Sequence, residues 1–309
     1  MNLLLLCRAE PLSRWQQPLP QRLPHDRLIV ETTHRAPESI DVVIADSPPQ
    51  GIWKQFPNLK LIQSLWMGVD RWLHDPSLPA HVPIARMVDP NMVTAMTETV
   101  VAHVLHVHLH HDDMRRQQSE RRWEEFYNPV AAKRSVGILG LGSLGTAAAR
   151  ALTYLGFRVS GWSRRPKSLD AVHCYAGAEQ LGDFLAVSEI LVCLLPLTRA
   201  TRGIANAGFF RQMRSGAVFI NVGRGAHVLE ADLLHALDSG HLRHAILDVF
   251  EQEPLPREHR FWTHPRVTVS PHSASMANPE SASDFVAENL RRLRVGEPLL
   301  GLVDRAAEY

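Results

Sequence analysis

Short apolar runs alternate with longer stretches of helical period along most of this chain. In the first third the runs fall at residues 3–7, 28–31, 42–45 and 61–65, separated by prolines and polar residues. From 97 to 117 a helical pattern runs without proline or glycine and leads into a tryptophan-containing loop at 121–129. A second series of strand-like runs follows at 135–139, 157–162, 190–195, 217–222, 245–249 and 267–270, and a last helical pattern covers 282–293. Strands alternating with helices in this way predict an α/β protein with mainly parallel sheets. There is no internal repeat and no low-complexity tract.

Composition narrows the function classes. With 309 residues the chain is long enough for one large domain or two ordinary ones. Lys and Arg total 33 against 32 acids, a net charge of +1, which offers no electrostatic reason to expect nucleic acid or a membrane surface as partner. Cys7, Cys174 and Cys193 are far apart and odd in number, so a disulfide framework or zinc knuckle is not expected and a reducing compartment fits. The opening Met1-Asn2-Leu3-Leu4-Leu5-Leu6 run is too short for a signal peptide core and reads as a buried first strand. No stretch approaches the roughly 20 apolar residues that spanning a bilayer requires. The expected location is the cytoplasm.

The strongest local signal is Gly140-Leu141-Gly142-Ser143-Leu144-Gly145. GxGxxG alone is weak, but here an apolar strand precedes it, a helical pattern at 146–155 follows, and a second strand completes a βαβ unit. The first glycine allows a tight turn, the second lets the backbone approach a pyrophosphate, and the third lets helix and strand pack closely. The pyrophosphate then rests on the positive end of the helix, which makes Ser143 and Leu144 cofactor candidates alongside the three glycines.

The second strand of such a unit ordinarily ends in Asp or Glu, which binds the ribose 2′-hydroxyl. Here it ends Gly161-Trp162-Ser163-Arg164-Arg165-Pro166-Lys167, with Ser163 near the acid's place. A carboxylate would repel a 2′-phosphate, whereas Arg164 and Arg165 can pair with one. Charge-assisted hydrogen bonds contribute roughly 1.5–3 kcal/mol each, so two favour NADPH over NADH by about a hundredfold or more. NADPH is the expected cofactor, with NADH as a weaker alternative; the competing reading of the arginines is an exposed basic loop.

Three further motifs stand at the ends of predicted strands, where ligands gather in such folds. They are Asn221-Val222-Gly223-Arg224-Gly225, then Leu247-Asp248 with Glu251 and Glu253 before Pro254, then Ser270-Pro271-His272. Taken together with the glycine loop, these motifs and their spacing resemble the D-2-hydroxyacid dehydrogenase family over essentially the whole chain. Within it the resemblance is strongest to the glyoxylate/hydroxypyruvate reductases.

The resemblance implies roles. Arg224 would bind the substrate carboxylate and polarise the 2-oxo group, His272 would give a proton to that oxygen, and Glu253 would hydrogen-bond His272. The roles are chemically sound in themselves, because hydride arriving at a carbonyl builds negative charge that a cation and a proton donor stabilise. Glu251 is the rival for the place of Glu253. The first domain would grip the substrate carboxylate through backbone N–H groups of Met67 and Gly68. Trp66, where relatives carry a smaller residue, would reshape the substrate pocket or serve as core. Relatives also carry a tryptophan after the strand near position 45, where this chain has Asp46-Ser47-Pro48-Pro49. Leu195, Pro196 and Thr201 would lie beside the cofactor ribose, and Val222, Gly223 and Asp248 on the nicotinamide side; Asp248 as a turn cap is the alternative. Thr94 and Glu98 would lie near the domain crossing.

The fold implied is two Rossmann-like or flavodoxin-like parallel-sheet domains. Residues 1–95 plus 274–309 form a discontinuous substrate-binding domain, into which a dinucleotide-binding domain, 96–273, is inserted, with the active site in the cleft between them. The expected reaction is NADPH-dependent reduction of a small 2-oxo acid, glyoxylate or hydroxypyruvate, to glycolate or D-glycerate. The alternatives are another substrate of the same family, or a nicotinamide-sensing binding protein without turnover. The family usually forms homodimers, with Trp123 placed to reach a partner. His103, His106, His108, His110 and His111 crowd the crossing helix, but no convergent cysteine or carboxylate pair accompanies them at metal spacing, so no metal is expected.

Overall fold

Residues 1–7, 12–30 and 36–309 are described by the computed structural model; Glu31, at the end of the second expected strand, lies outside the described residues. The chain divides into two compact units, Met1–Met92 with Met276–Tyr309, and Val93–Ser275. In chain order the first unit contains β1 (Asn2–Leu6), α1 (Pro18–Arg22), β2 (Arg27–Ile29), β3 (Val42–Ala45), β4 (Leu61–Ser64), α2 (Asp70–Leu73) and β5 (Ile84–Ala85). Helix α3 (Pro90–His108) carries the chain into the second unit. There follow α4 (His111–Glu120), β6 (Ser135–Leu139), α5 (Ser143–Tyr154), β7 (Arg158–Ser163), β8 (Val172–Ala176) and α6 (Leu181–Val187). Then come β9 (Ile190–Cys193), α7 (Ala207–Gln212), β10 (Ala217–Asn221), α8 (Glu230–Asp238), β11 (Leu242–Leu247) and β12 (Val267–Val269), and α9 (Pro279–Val295) belongs again to the first unit.

The sheet of the first unit has the order β2-β1-β3-β4-β5, with every pairing parallel. This is the flavodoxin-like winding. Its apolar runs are explained by burial on both faces: Leu3 and Leu5 enter one core cluster while Leu4 and Leu6 enter the other. Each such leucine contributes roughly 1.5–3 kcal/mol when buried. Helix α9 is longer than the pattern at 282–293 predicts because its ends are capped. Asn278 accepts from Glu280 N–H, Pro279 occupies the first turn, and Gly296 closes the helix at φ 71°.

The sheet of the second unit has the order β12-β11-β10-β9-β6-β7-β8, again wholly parallel. Counting from β6, this is the Rossmann winding extended by one strand, and the strand order reverses between β6 and β9. Along β9, Ile190 and Val192 face one core cluster and Leu191 and Cys193 the other. Two parallel-sheet α/β units are thus present as the pattern predicts.

Several elements differ from expectation. The single helix expected over 97–117 is two, because His110 turns into the left-handed region at φ 57° between α3 and α4. Helix α3 buries Val100, Val104 and Val107, whereas α4 has no buried residue. Polar contacts attach it: His106 Nε2 lies 2.8 Å from Asp112 Oδ1, and Arg243 Nη1 lies 3.6 Å from Asp113 Oδ2. Strand β5 has two residues and the edge strand β8 is mostly half-buried, so neither shows a strong apolar run. Strand β11 begins before the expected residue 245 because Arg243 and His244 hide it as a polar stretch. Among the described residues no helix is long and apolar enough to cross a membrane.

Candidate active site

Of the three glycines after β6, two are required by close packing and the third leaves open space. Gly140 adopts φ +111°, and a Cβ there would lie 2.9 Å from the carbonyl carbon and oxygen of Leu194. At Gly145 a Cβ would lie 1.9 Å from Gly140 O, so only glycine lets α5 pack against the strand turn. At Gly142 a Cβ would meet nothing within 4 Å. That open space lies at the N-terminus of α5, where Gly142 and Ser143 are exposed, Leu144 is half-buried, and no side chain caps the first-turn amides. The loop therefore presents uncapped N–H donors to an open concavity, as a pyrophosphate requires.

At the end of β7 no acid is present. Ser163 is buried and its hydroxyl donates to Arg165 O at 2.7 Å, which folds the segment so that Arg164 and Arg165 are exposed. Lys167 Nζ donates to Leu141 O, placing a third cation beside the glycine loop. Lys167 belongs to the same basic run, three residues beyond Arg164, and that place is its signal in the sequence.

The next two loops are interlocked. Leu195 is buried in the core, and Thr201 donates to Pro196 O at 2.7 Å while accepting from Thr198 N–H at 2.8 Å. Val222 is a core residue, and Gly223 is tightly packed: a Cβ there would lie 3.2 Å from both the His227 ring and Leu195 O. Asn221 is fully buried; its amide donates to Arg224 O at 2.9 Å and its oxygen accepts from Gly223 N–H at 3.2 Å. Arg224 is half-buried, with Nη1 donating to Gly223 O at 2.8 Å. A Cβ on Gly225 would lie 1.9 Å from Phe250 C, so the arginine turn abuts the loop after β11.

That loop and the one after β12 hold the histidine. Asp248 is buried, and its two oxygens accept from Ser270 Oγ at 2.7 Å and from the amides of Ser273 and Ala274 at 3.0 Å. Its carboxylate thus caps the turn that carries His272, which itself sits at φ 50° and donates its amide to Asp248 O at 2.8 Å. Glu253 Oε1 accepts from Phe250 N–H at 2.9 Å, and Oε2 lies 2.8 Å from His272 Nδ1. Glu251 is exposed. The imidazole is half-exposed, so Nδ1 is committed to the carboxylate while the ring keeps access to solvent. On α3, burial pushes His103 down, against the opposing charge of Asp248.

In the first unit, the loop after β4 is held at one end by Ser64, whose hydroxyl accepts from Trp66 N–H at 3.0 Å and donates to Trp66 O at 2.9 Å. Met87 N–H donates to Trp66 O as well. Trp66 and Met67 are partly buried against the apolar cluster containing Leu65 and Ala85. The amides of Met67, Gly68 and Val69 have no acceptor among the described residues. Three successive N–H groups are thus left available as donors. Asp46, after β3, is buried.

Other singled-out residues fall elsewhere. Thr94 and Glu98 are on the exposed side of α3. The histidines of the crossing helix join no group of three or more His, Cys, Asp or Glu able to hold a metal among the described residues. Trp123 lies in an extended exposed segment at 122–130 with Tyr127 and Val130; Trp123 is 90% and Tyr127 101% exposed.

Comparison with known proteins places this geometry. The sequence profile described as D-isomer specific 2-hydroxyacid dehydrogenase, NAD binding domain, matches residues 101–274. The chain is 41% identical over 302 residues, 96% of each chain, to the glyoxylate/hydroxypyruvate reductase A of Photorhabdus laumondii. A D-isomer specific 2-hydroxyacid dehydrogenase from Xanthobacter autotrophicus, solved with NADPH and MES, superposes with a TM-score of 0.95 at 42% identity over 99% of each chain. An NADPH-dependent glyoxylate/hydroxypyruvate reductase from Sinorhizobium meliloti, solved with NADP and sulfate, gives 0.94 at 36% identity over 100% of this chain and 99% of that one.

Proposed function

The chain belongs to the D-isomer specific 2-hydroxyacid dehydrogenase family, and from that premise we propose an NADPH-preferring reductase of glyoxylate and hydroxypyruvate, forming glycolate and D-glycerate. The observation that carries the reading is the 2.8 Å His272–Glu253 contact in a loop packed against the Arg224 turn.

NADPH fits the residues present. Gly142 leaves open space at an uncapped helix N-terminus, and Arg164 and Arg165 stand exposed where an acid would exclude the 2′-phosphate. Leu195, Pro196 and Thr201 are the proposed ribose side, and Gly223 with Val222 the nicotinamide side. Bound there, NADPH supplies the hydride for the carbonyl carbon. NADH is accepted more weakly.

The chain's own groups do the rest. Arg224 pairs with the substrate carboxylate and stabilises the charge that builds on the 2-oxo oxygen. His272 delivers a proton to that oxygen, and Glu253 holds the ring in place by Nδ1. Asp248 serves both by fixing the turn of His272. In the first unit the amides of Met67 and Gly68 are the proposed donors to the substrate carboxylate, and Trp66 sets the size of acid accepted.

NADPH oxidation by the purified protein with glyoxylate and with hydroxypyruvate, beside an Arg224→Ala control and an NADH series, tests the reading. Turnover that is stronger with NADPH and lost in the control supports it. Tight NADPH binding without turnover on either acid overturns the substrate assignment. The exposed apolar segment carrying Trp123 supports a homodimer; Michaelis constants left unchanged in Trp123→Ala would remove any role of that side chain in a partner's site.

A further inference from the structure

Resting on the reductase reading above, we propose that His227 is a positioning residue, a buried imidazole tying the Arg224 turn to the 195–201 loop so that cofactor and oxo acid strengthen each other's binding. His227 is 0% exposed and closes the short turn Gly225–His227 that follows Arg224. Its Nδ1 accepts from Arg224 N–H at 3.2 Å. An accepting Nδ1 puts the proton of the neutral ring on Nε2, which donates to Pro196 O at 3.2 Å. The same carbonyl accepts from Thr201 Oγ1 at 2.7 Å. One ring therefore joins the backbone of the arginine proposed to hold the substrate to the loop proposed to hold the ribose.

The ring is enclosed. His227 is fully buried, and a Cβ on Gly223 would lie 3.2 Å from its Cε1 and Nδ1. Cys193 Sγ lies 3.8 Å from Nδ1. Burial pushes that thiol up to about 12, so it remains a neutral neighbour. Backbone bonds continue the tie: Ala205 N–H donates to His227 O and Gly203 N–H to Ala226 O, both at 2.9 Å. A core position of this size is filled most simply by leucine; an imidazole is tolerated because both nitrogens are satisfied, and each by a loop of the site.

The consequence is thermodynamic. A ligand that orders the 195–201 loop fixes Pro196 O, and through the ring fixes Arg224 N–H. Oxalate, an isostere of the 2-oxo acids, should then bind the NADPH-loaded enzyme more tightly than the free enzyme, and NADPH should gain by the same factor from oxalate. Coupling of this kind typically amounts to about 5–150-fold.

The test uses two variants and two ligands, oxalate and NADPH, followed by protein fluorescence and by the emission of bound NADPH. His227→Asn places an amide oxygen near the position of Nδ1 but is too short to reach Pro196 O; His227→Leu removes both bonds. The expected result is that His227→Asn binds each ligand alone within about threefold of wild type while the coupling factor falls towards one. His227→Leu should lose coupling and also weaken oxalate alone by about tenfold. Coupling retained in His227→Asn overturns the proposal. So does a His227→Asn protein whose melting temperature and NADPH affinity fall together, which marks the ring as core alone. A wild type that binds NADPH but ignores oxalate overturns the 2-oxo acid reading itself, and is told apart because no variant is needed to see it.

Discussion

The two units prepare their candidate ligand loops in opposite ways. In the second unit the loops after β9, β10, β11 and β12 are cross-tied by buried polar side chains, Asn221, His227 and Asp248, each with its hydrogen bonds made inside the unit. In the first unit the loop after β4 is tied at Trp66 by Ser64 and Met87, and the next three amides are left unpaired. Buried polar groups with every bond satisfied give a fixed geometry, which proton and hydride chemistry requires. Unpaired amides keep their donors available, which carboxylate binding requires.

On that contrast, damage to the cross-tied loops after β10, β11 and β12 should cost turnover, and damage to the loop after β4 should cost affinity. The largest effect is expected for His272→Gln, which removes the proposed proton donor; kcat should fall by about 10²–10⁴ with NADPH binding retained. A His272→Gln protein that keeps kcat within a few-fold of wild type would break the histidine assignment. Next, Arg224→Ala should lower kcat/KM by about 10²–10³, as when one oxyanion donor is removed; an equal loss in the Glu251→Ala control would show that the loop, and not the cation, was disturbed.

The double change of Arg164→Ala and Arg165→Ala should reduce the preference for NADPH by about a hundredfold while leaving NADH kinetics nearly unchanged. Parallel losses with both cofactors would point to a damaged glycine loop, which Lys167 touches. The smallest effect is expected in the first unit. Ser64→Ala loosens the amide loop at a cost of about 0.5–1.5 kcal/mol of stability, and KM for glyoxylate should rise severalfold at constant kcat. A fall in kcat instead would erase the division of labour between the units.

Much of this was legible in the residues. Apolar runs buried on both faces marked β1, β3, β9 and β10, and the glycine spacing marked the start of α5 because Gly140 and Gly145 answer steric demands. Arg224, Glu253 and His272 stood at strand ends, where spacing alone brought them to notice. Periodicity was blind to the break between α3 and α4, since one left-handed residue at His110 leaves no mark in an apolar count. It was equally blind to partners. Whether Glu251 or Glu253 meets His272, and whether Asp248 caps a turn, depends on which oxygen reaches which donor, and that is a property of three loops at once. His227 was given no role for the same reason: its ring meets Arg224, Pro196 and Cys193, which lie 3, 31 and 34 positions away.

Helix α4 carries a consequence of a different kind. It buries no side chain and is attached through Asp112 and Asp113 to His106, His110, His244 and Arg243. A helix with nothing in the hydrophobic core adds little to global stability and can open alone. Its amides should therefore exchange with solvent deuterium long before those of β6 or β9, and faster still as added salt screens its attachments. The exposed segment bearing Trp123 begins where this helix ends, so the opening of α4 should release Trp123 and Tyr127 with it.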